Sequence, residues 1–187
     1  VDGRLAKLVG RGACSIPLRN PLSEDLDSMR VMLAPNLLQV IERNAAFGSS
    51  DVSVFEIGKV YYRAGDEIGE RMAVGGAVSG NLWRSAWNLP VEALAVDFFT
   101  VKGIVESLLG GLGVEGARFE TTEDPLLHPT RAARLMVGDR QLGILGEVAP
   151  GAAESIGIRE RAYVFELEFE PLMEVTPETL RYEVLPR

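Results

Sequence analysis

The chain has 187 residues, of which 47% are apolar, enough for one domain that buries roughly two-thirds of its unfolded surface. Its net charge of -8 argues against a domain that by itself grips nucleic acid, because phosphate contacts need clustered Lys and Arg, and it favours a protein partner. The lone Cys14 excludes an internal disulfide and has no metal-ligand spacing with the single His128, and no apolar run of about eighteen residues marks a membrane span.

Residues 1–19 carry only a weak helical pattern in Leu5, Leu8 and Val9, interrupted by glycines. Asn20 to Ser23 is a turn signal, and Met29, Val31 and Leu33 alternate with Arg30 and Met32 as in a strand. A helix follows, with Pro35 in its first turn, Leu37, Leu38, Ile41 and Ala45 as the apolar stripe, and Gly48 as the stop. Val52 to Tyr62 is β-branched and aromatic with apolar groups on both faces, which predicts a central strand covered on both sides. Met72 to Ser79 returns as its antiparallel neighbour, and Gly75 and Gly76 predict a bulge or a close backbone approach there.

The stretch Ala95 to Gly113 is the longest clear helix. Val101, Val105, Leu108 and Leu112 recur at helical spacing, Asp97 is the N-cap, and the glycines at 110, 111 and 113 form the stop. Arg118 to Thr121 reads as a strand and Asp124 to Arg131 as a loop. Leu135 to Val137 and Leu142 to Val148 form a hairpin about Gly138 and Asp139. Pro150 to Ile156 is a short helix closed by Gly157, and Tyr163 to Glu170 is a last strand. This order predicts an α+β fold, an antiparallel β-sheet flanked by helices.

Several side chains are candidates for chemistry. His128, before Pro129, is either a general base or substrate contact, or a structural group bonded to neighbouring backbone; the second is favoured because no partner stands at a suitable spacing. Glu56, among apolar neighbours, is either catalytic or one half of a structural ion pair, the latter being favoured. Lys102 either holds a carboxylate such as Glu56 or Asp97 or is solvated. The glycines of Leu142 to Gly146 lack the Lys-Ser/Thr and helix start of a phosphate loop and fit close packing in a sheet. Trp83 and Trp87 stand four apart, either as an apolar interface patch or as local core. In the last strand Phe165, Leu167 and Phe169 point one way and Glu166, Glu168 and Glu170 the other, a row of carboxylates that repels a triphosphate.

Six blocks together resemble the bacterial phenylalanyl-tRNA synthetase beta-subunit family. They are NPLSEDLDSMR with LAPNLLQVIERN (Asn20 to Arg30, Leu33 to Asn44), VFEIGKVY (Val54 to Tyr61), DFFTVKGIVESLL (Asp97 to Leu109), HPTRAARL (His128 to Leu135), LGILGEVAP (Leu142 to Pro150) and YVFELEFEPL (Tyr163 to Leu172). Thr130 stands where the family usually has Gly, and Ala149 where a His is common. The resemblance implies a class II aminoacyl-tRNA synthetase-like core over residues 20–175, preceded by a lead-in at 1–19 and followed at 176–187 by a linker toward an anticodon-binding domain. It implies further that this is the catalytic-like module of a cytoplasmic enzyme whose working site, with its ATP and Mg²⁺, lies in the alpha subunit. The last strand offers Glu166, Leu167 and Glu168 where a working core places an ATP-clamping arginine. No catalytic, cofactor or metal residue is then expected in this chain, and tRNA is met by other parts of the complex. Met29, Val31, Leu37 and Ile41 are the implied interface with the alpha subunit. The rival expectations are a residual small-molecule site using Glu56, Lys102 and His128, or an unrelated α+β interaction module.

Overall fold

The computed structural model describes residues 2–23, 27–82 and 95–177. The elements are α1 (Gly3–Leu8), a short 3-10 turn at Gly12–Cys14, β1 (Ile16–Pro17), β2 (Ser28–Met29), α2 (Ala34–Ala46), β3 (Val52–Ala64) and β4 (Glu67–Ser79). They continue with α3 (Phe98–Leu112), β5 (Ala117–Thr121), β6 (Leu127–Val137), β7 (Arg140–Val148), α4 (Pro150–Ile156), β8 (Ala162–Glu168) and α5 (Phe169–Val175). The six longer strands form one antiparallel sheet in the order β3-β4-β8-β7-β6-β5, while β1 and β2 pair separately. The fold is therefore the expected α+β antiparallel sheet with helices on both faces.

Alternation along the strands divides the apolar side chains between two cores. On one face Ala73, Ala77, Ile144 and Val164 pack against Leu37, Leu38 and Ile41 of α2, and Val9 and Ala6 of the N-terminal segment join them. On the other face Val74, Leu135, Leu145, Phe165 and Leu167 pack against Val101, Val105 and Leu109 of α3 and Leu172 of α5. The α3 helix starts with a capping box, in which Asp97 accepts from the Thr100 N–H at 2.7 Å and the Thr100 hydroxyl accepts from the Asp97 N–H at 3.1 Å. It ends at Gly113, whose φ of 72° is the left-handed conformation that glycine adopts without strain. Gly110 and Gly111 lie inside the last turn, so they do not stop the helix.

Five expectations are corrected. β3 is an edge strand, with Phe55 77% and Ile57 53% exposed on its outer side. Its β-branched and aromatic residues suit any pleated surface and do not say whether that surface is covered. Val31 to Leu33 leave the short β2 and run directly into α2 as buried connecting chain, and Ala45 is exposed because the stripe ends one turn early. His128 lies in β6, where a register shift separates Leu127, paired with Val148, from Ala132, paired with Gly146. The last strand ends at Glu168, which places Phe169 and Glu170 in α5. Trp83 and Trp87 fall outside the described residues.

Gly76 and Gly143 are close approaches of strand to strand. A Cβ on Gly76 would stand 2.3 Å from the Phe165 ring, and the β3–β4 register runs past it without a bulge. A Cβ on Gly143 would lie 2.1 Å from the Glu166 carbonyl oxygen.

Candidate functional site

The place to look for chemistry is the sheet face beneath the start of α2, where β4, β8 and β7 meet the incoming segment Val31–Ala34. α2 begins without a local cap: Leu33 contributes no side-chain hydrogen bond, and Pro35 has no N–H to satisfy. The first free amides are capped from the far end of the sequence. The Glu166 Oε2 accepts from the Leu33 N–H at 2.8 Å and the Ala34 N–H at 2.9 Å. Burial pushes the Glu166 carboxyl up to about 6, against the opposing pull of those two amides and of Arg11 and Arg71.

The other two carboxylates of the expected row are also committed. Glu168 pairs with Arg71 at 2.7 Å, and the Arg71 guanidinium also stands 6.0 Å from the Tyr62 ring. Glu170 accepts from the Met72 N–H at 3.2 Å. The recess left between Arg11, Met32, Arg71, Gln141, Glu166 and Glu168 measures about 40 Å³. A ligand pocket needs several hundred, so this one has room for about a single water molecule. The face is filled from above by Met32 and Leu33, which are 2% and 0% exposed, and from within by Glu166.

The three polar residues expected to converge do not. Glu56 on β3 pairs with Arg30 at 2.6 Å, and the Arg30 Nε also donates to the Lys59 carbonyl at 2.7 Å, which ties the β2 end to the sheet edge. Lys102 pairs with Glu106 one turn along α3 and lies 4.6 Å from the Phe119 ring centre, not with Glu56 or Asp97. The His128 Nδ1 accepts from the Thr130 N–H at 3.2 Å, the local structural role. Strands β3 and β6 are four positions apart in the sheet, about 19 Å, so Glu56 and His128 cannot share a substrate.

Of the four interface residues, Val31, Leu37 and Ile41 are 7%, 4% and 1% exposed and belong to the α2-side core, while Met29 is half-buried in β2. Val31, Leu37 and Ile41 are spent within this chain. Helical and strand periodicity mark the side that is covered, and the covering surface here is the chain's own sheet.

Sequence reasoning missed a second polar cluster, at the other end of β7. Arg131 grips Glu147 with both arms of its fork, Nε to Oε2 at 2.5 Å and Nη2 to Oε1 at 2.8 Å. Glu147 is 4% exposed and lies across from Tyr163 in the β7–β8 ladder. Arg161 Nε stands 3.9 Å from Glu147 Oε1. The Arg131 guanidinium holds the Glu147 carboxyl below its ordinary value, and burial pushes the Tyr163 phenol up. The available signal was the Glu in an otherwise apolar β7, which burial obliges to find a cation. Among the described residues no three of His, Cys, Asp and Glu converge as metal ligands.

Comparisons with known proteins agree with this architecture. The phenylalanine-tRNA ligase beta subunit of Symbiobacterium thermophilum is 42% identical over 174 residues, which are 92% of this chain and 19% of that protein. That of Moorella thermoacetica is 38% identical over 175 residues, 92% of this chain and 21% of the relative. The chain thus spans about a fifth of the length of these relatives. The solved pyrrolysyl-tRNA synthetase from Desulfitobacterium hafniense shares the fold at a TM-score of 0.64 and 16% identity, covering 91% of this chain and 59% of that one. A second structure of a pyrrolysyl-tRNA synthetase from that organism matches at 0.61 and 17%, over 87% and 53% of the two chains. The sheet is thus of the class II synthetase type. Residues 4–169 match the family described as the phenylalanyl tRNA synthetase beta chain CLM domain, and the chain belongs to that family.

Proposed function

We propose that this chain is a non-catalytic structural module of the phenylalanine-tRNA ligase beta chain that pairs with the catalytic alpha chain. The parent enzyme charges tRNA with phenylalanine using ATP and Mg²⁺, and both act in the alpha chain. The observation that carries this reading is the filled face beneath α2: a recess of about 40 Å³, with Glu166 spent on capping α2, leaves no volume for a nucleotide on that face of the sheet. An arrangement that uses its cleft residues to fasten a helix to the sheet makes a rigid scaffold.

The partner-facing surface in this reading is an apolar one that the described residues leave uncovered on the β3–β4 hairpin. Phe55 and Ile57 of β3 and Ile68 of β4 lie on the same side of the β3–β4 hairpin, at 77%, 53% and 60% exposure. Beyond Ala73 that hairpin runs on without β8 beside it. Large apolar side chains bared on an edge strand suit burial against a second protein. Arg30, between the implied interface residues Met29 and Val31, braces that strand through Glu56 and the Lys59 carbonyl.

The test is to mix the chain with the alpha chain, measure the mass of the product by light scattering, and assay phenylalanine-dependent ATP-pyrophosphate exchange on the chain alone. A stable complex with no exchange supports the reading. Exchange by the isolated chain, or two separate masses at micromolar concentration, overturns it.

A further inference from the structure

The cluster around Glu147 gathers unbalanced charge about a buried carboxylate, whereas Glu120, which also faces two arginines, has a side chain 38% exposed. Two guanidiniums, Arg131 and Arg161, face one carboxylate. Glu147 is satisfied, since each of its oxygens accepts from one arm of Arg131. The cations are not. Arg131 spends two of its five N–H donors on Glu147 and is 40% exposed, and Arg161, at 3.9 Å, is 73% exposed. One positive charge is left over in a chain whose net charge is -8.

The backbone is shaped to aim these groups. Between the pairs Leu127–Val148 and Ala132–Gly146 the β6 strand carries four residues, His128 to Arg131, against the single Glu147 of β7. Bulges of this kind re-aim a side chain, and here the re-aimed one is Arg131. Gly146 lets the bulge close on β7, because a Cβ there would stand 2.6 Å from the Arg131 carbonyl oxygen and 2.8 Å from the Ala132 Cα. A buried carboxylate thus fixes the plane of one guanidinium and holds a second beside it, with the remaining donors turned to solvent.

We propose that Arg131 and Arg161, oriented by Glu147, form a phosphate-binding site on the surface of this module. The planar forks of two arginines set side by side match the oxygens of a phosphoryl group, and the unspent charge supplies the attraction. The phosphate is either free or carried by RNA, and the chemistry of the contact is the same for both. The site is independent of the partner surface on β3 and of the filled recess beneath α2.

The experiment is calorimetric titration of the 187-residue chain with inorganic phosphate in a chloride buffer, followed by a single-stranded oligoribonucleotide with and without a 5′-phosphate. Nitrogen-15 spectra of the arginine Nε–H groups are followed in the same titrations. The expected result is saturable phosphate binding that shifts the Arg131 and Arg161 signals and weakens about tenfold or more in Arg161→Ala. Arg161 is exposed, so that variant tests the contact without opening the core. Tighter binding of the oligoribonucleotide, equally sensitive to Arg161→Ala, identifies RNA as the source; preference for inorganic phosphate identifies the free ion. No saturable binding of either probe, or binding that Arg161→Ala leaves unchanged, overturns the proposal.

Discussion

Gly143 and Gly103 invite the same substitution with opposite outcomes. Gly143 sits in β7 between Leu135 of β6 and Leu167 of β8. An added methyl would stand 2.1 Å from the Glu166 carbonyl oxygen, 2.7 Å from the Leu167 Cδ2 and 2.8 Å from the Leu167 Cα. Two of those three are backbone atoms that no rotamer change can move, so β7 and β8 must part in the middle of the sheet. Overpacking a core costs about 1–3 kcal/mol, and backbone contact puts Gly143→Ala near the top of that range. At roughly 2–4 °C per kcal/mol for a domain of this size, the melting temperature should fall by about 6–12 °C. Gly103, inside α3, has nothing within 4 Å of its added Cβ. There alanine removes backbone freedom from the unfolded chain, and Gly103→Ala should gain about 0.5–1 kcal/mol. Urea unfolding followed by far-ultraviolet circular dichroism reads both as a change of midpoint at constant slope. A Gly143→Ala variant within about 0.5 kcal/mol of the parent, or a destabilised Gly103→Ala, would refute the account of strand spacing and helix packing given above.

The burial of Glu166 makes a pH prediction. Its carboxyl is raised from 4.5 to about 6, so the folded chain holds this proton more tightly than the unfolded one. The contribution is fully present below about 4.5 and is lost as pH rises through 6, a change of about 2 kcal/mol. Glu166→Gln keeps an acceptor oxygen for Leu33 and Ala34, so its stability relative to the parent should rise by that amount from pH 4.5 to 7; a flat difference in urea titrations across the window contradicts this. Asp97→Ala removes the capping box of α3 and should cost about 1 kcal/mol in the same assay, with no loss being the contrary result. The double variant Phe55→Ser with Ile57→Ser should keep the parent's melting temperature within a few degrees, because both side chains are exposed, and weaken association with the alpha chain at least about tenfold. Undiminished association by light scattering would remove β3 from the interface.

The sequence alone determined the local elements. The apolar spacing of α3 with Asp97 ahead of it, the Gly138–Asp139 turn between β6 and β7, and Pro150 and Gly157 bracketing α4 each depend on contacts within a few residues. The six family blocks identified the fold class as well. What the tertiary structure decided is everything that joins distant residues. β3 lies at an edge because β8 takes the other side of β4, and nothing within Val52 to Ala64 encodes that choice. Leu37 and Ile41 look like an interface in the sequence and are core in the fold, since periodicity marks a covered side without naming what covers it. Glu166 caps a helix 132 residues away, and Glu147 meets Arg131 only because a bulge shifts the β6–β7 register. Hydrogen bonds within a turn or a helix are set by neighbours along the chain, whereas sheet order, register and buried ion pairs are set by which strands come to lie side by side.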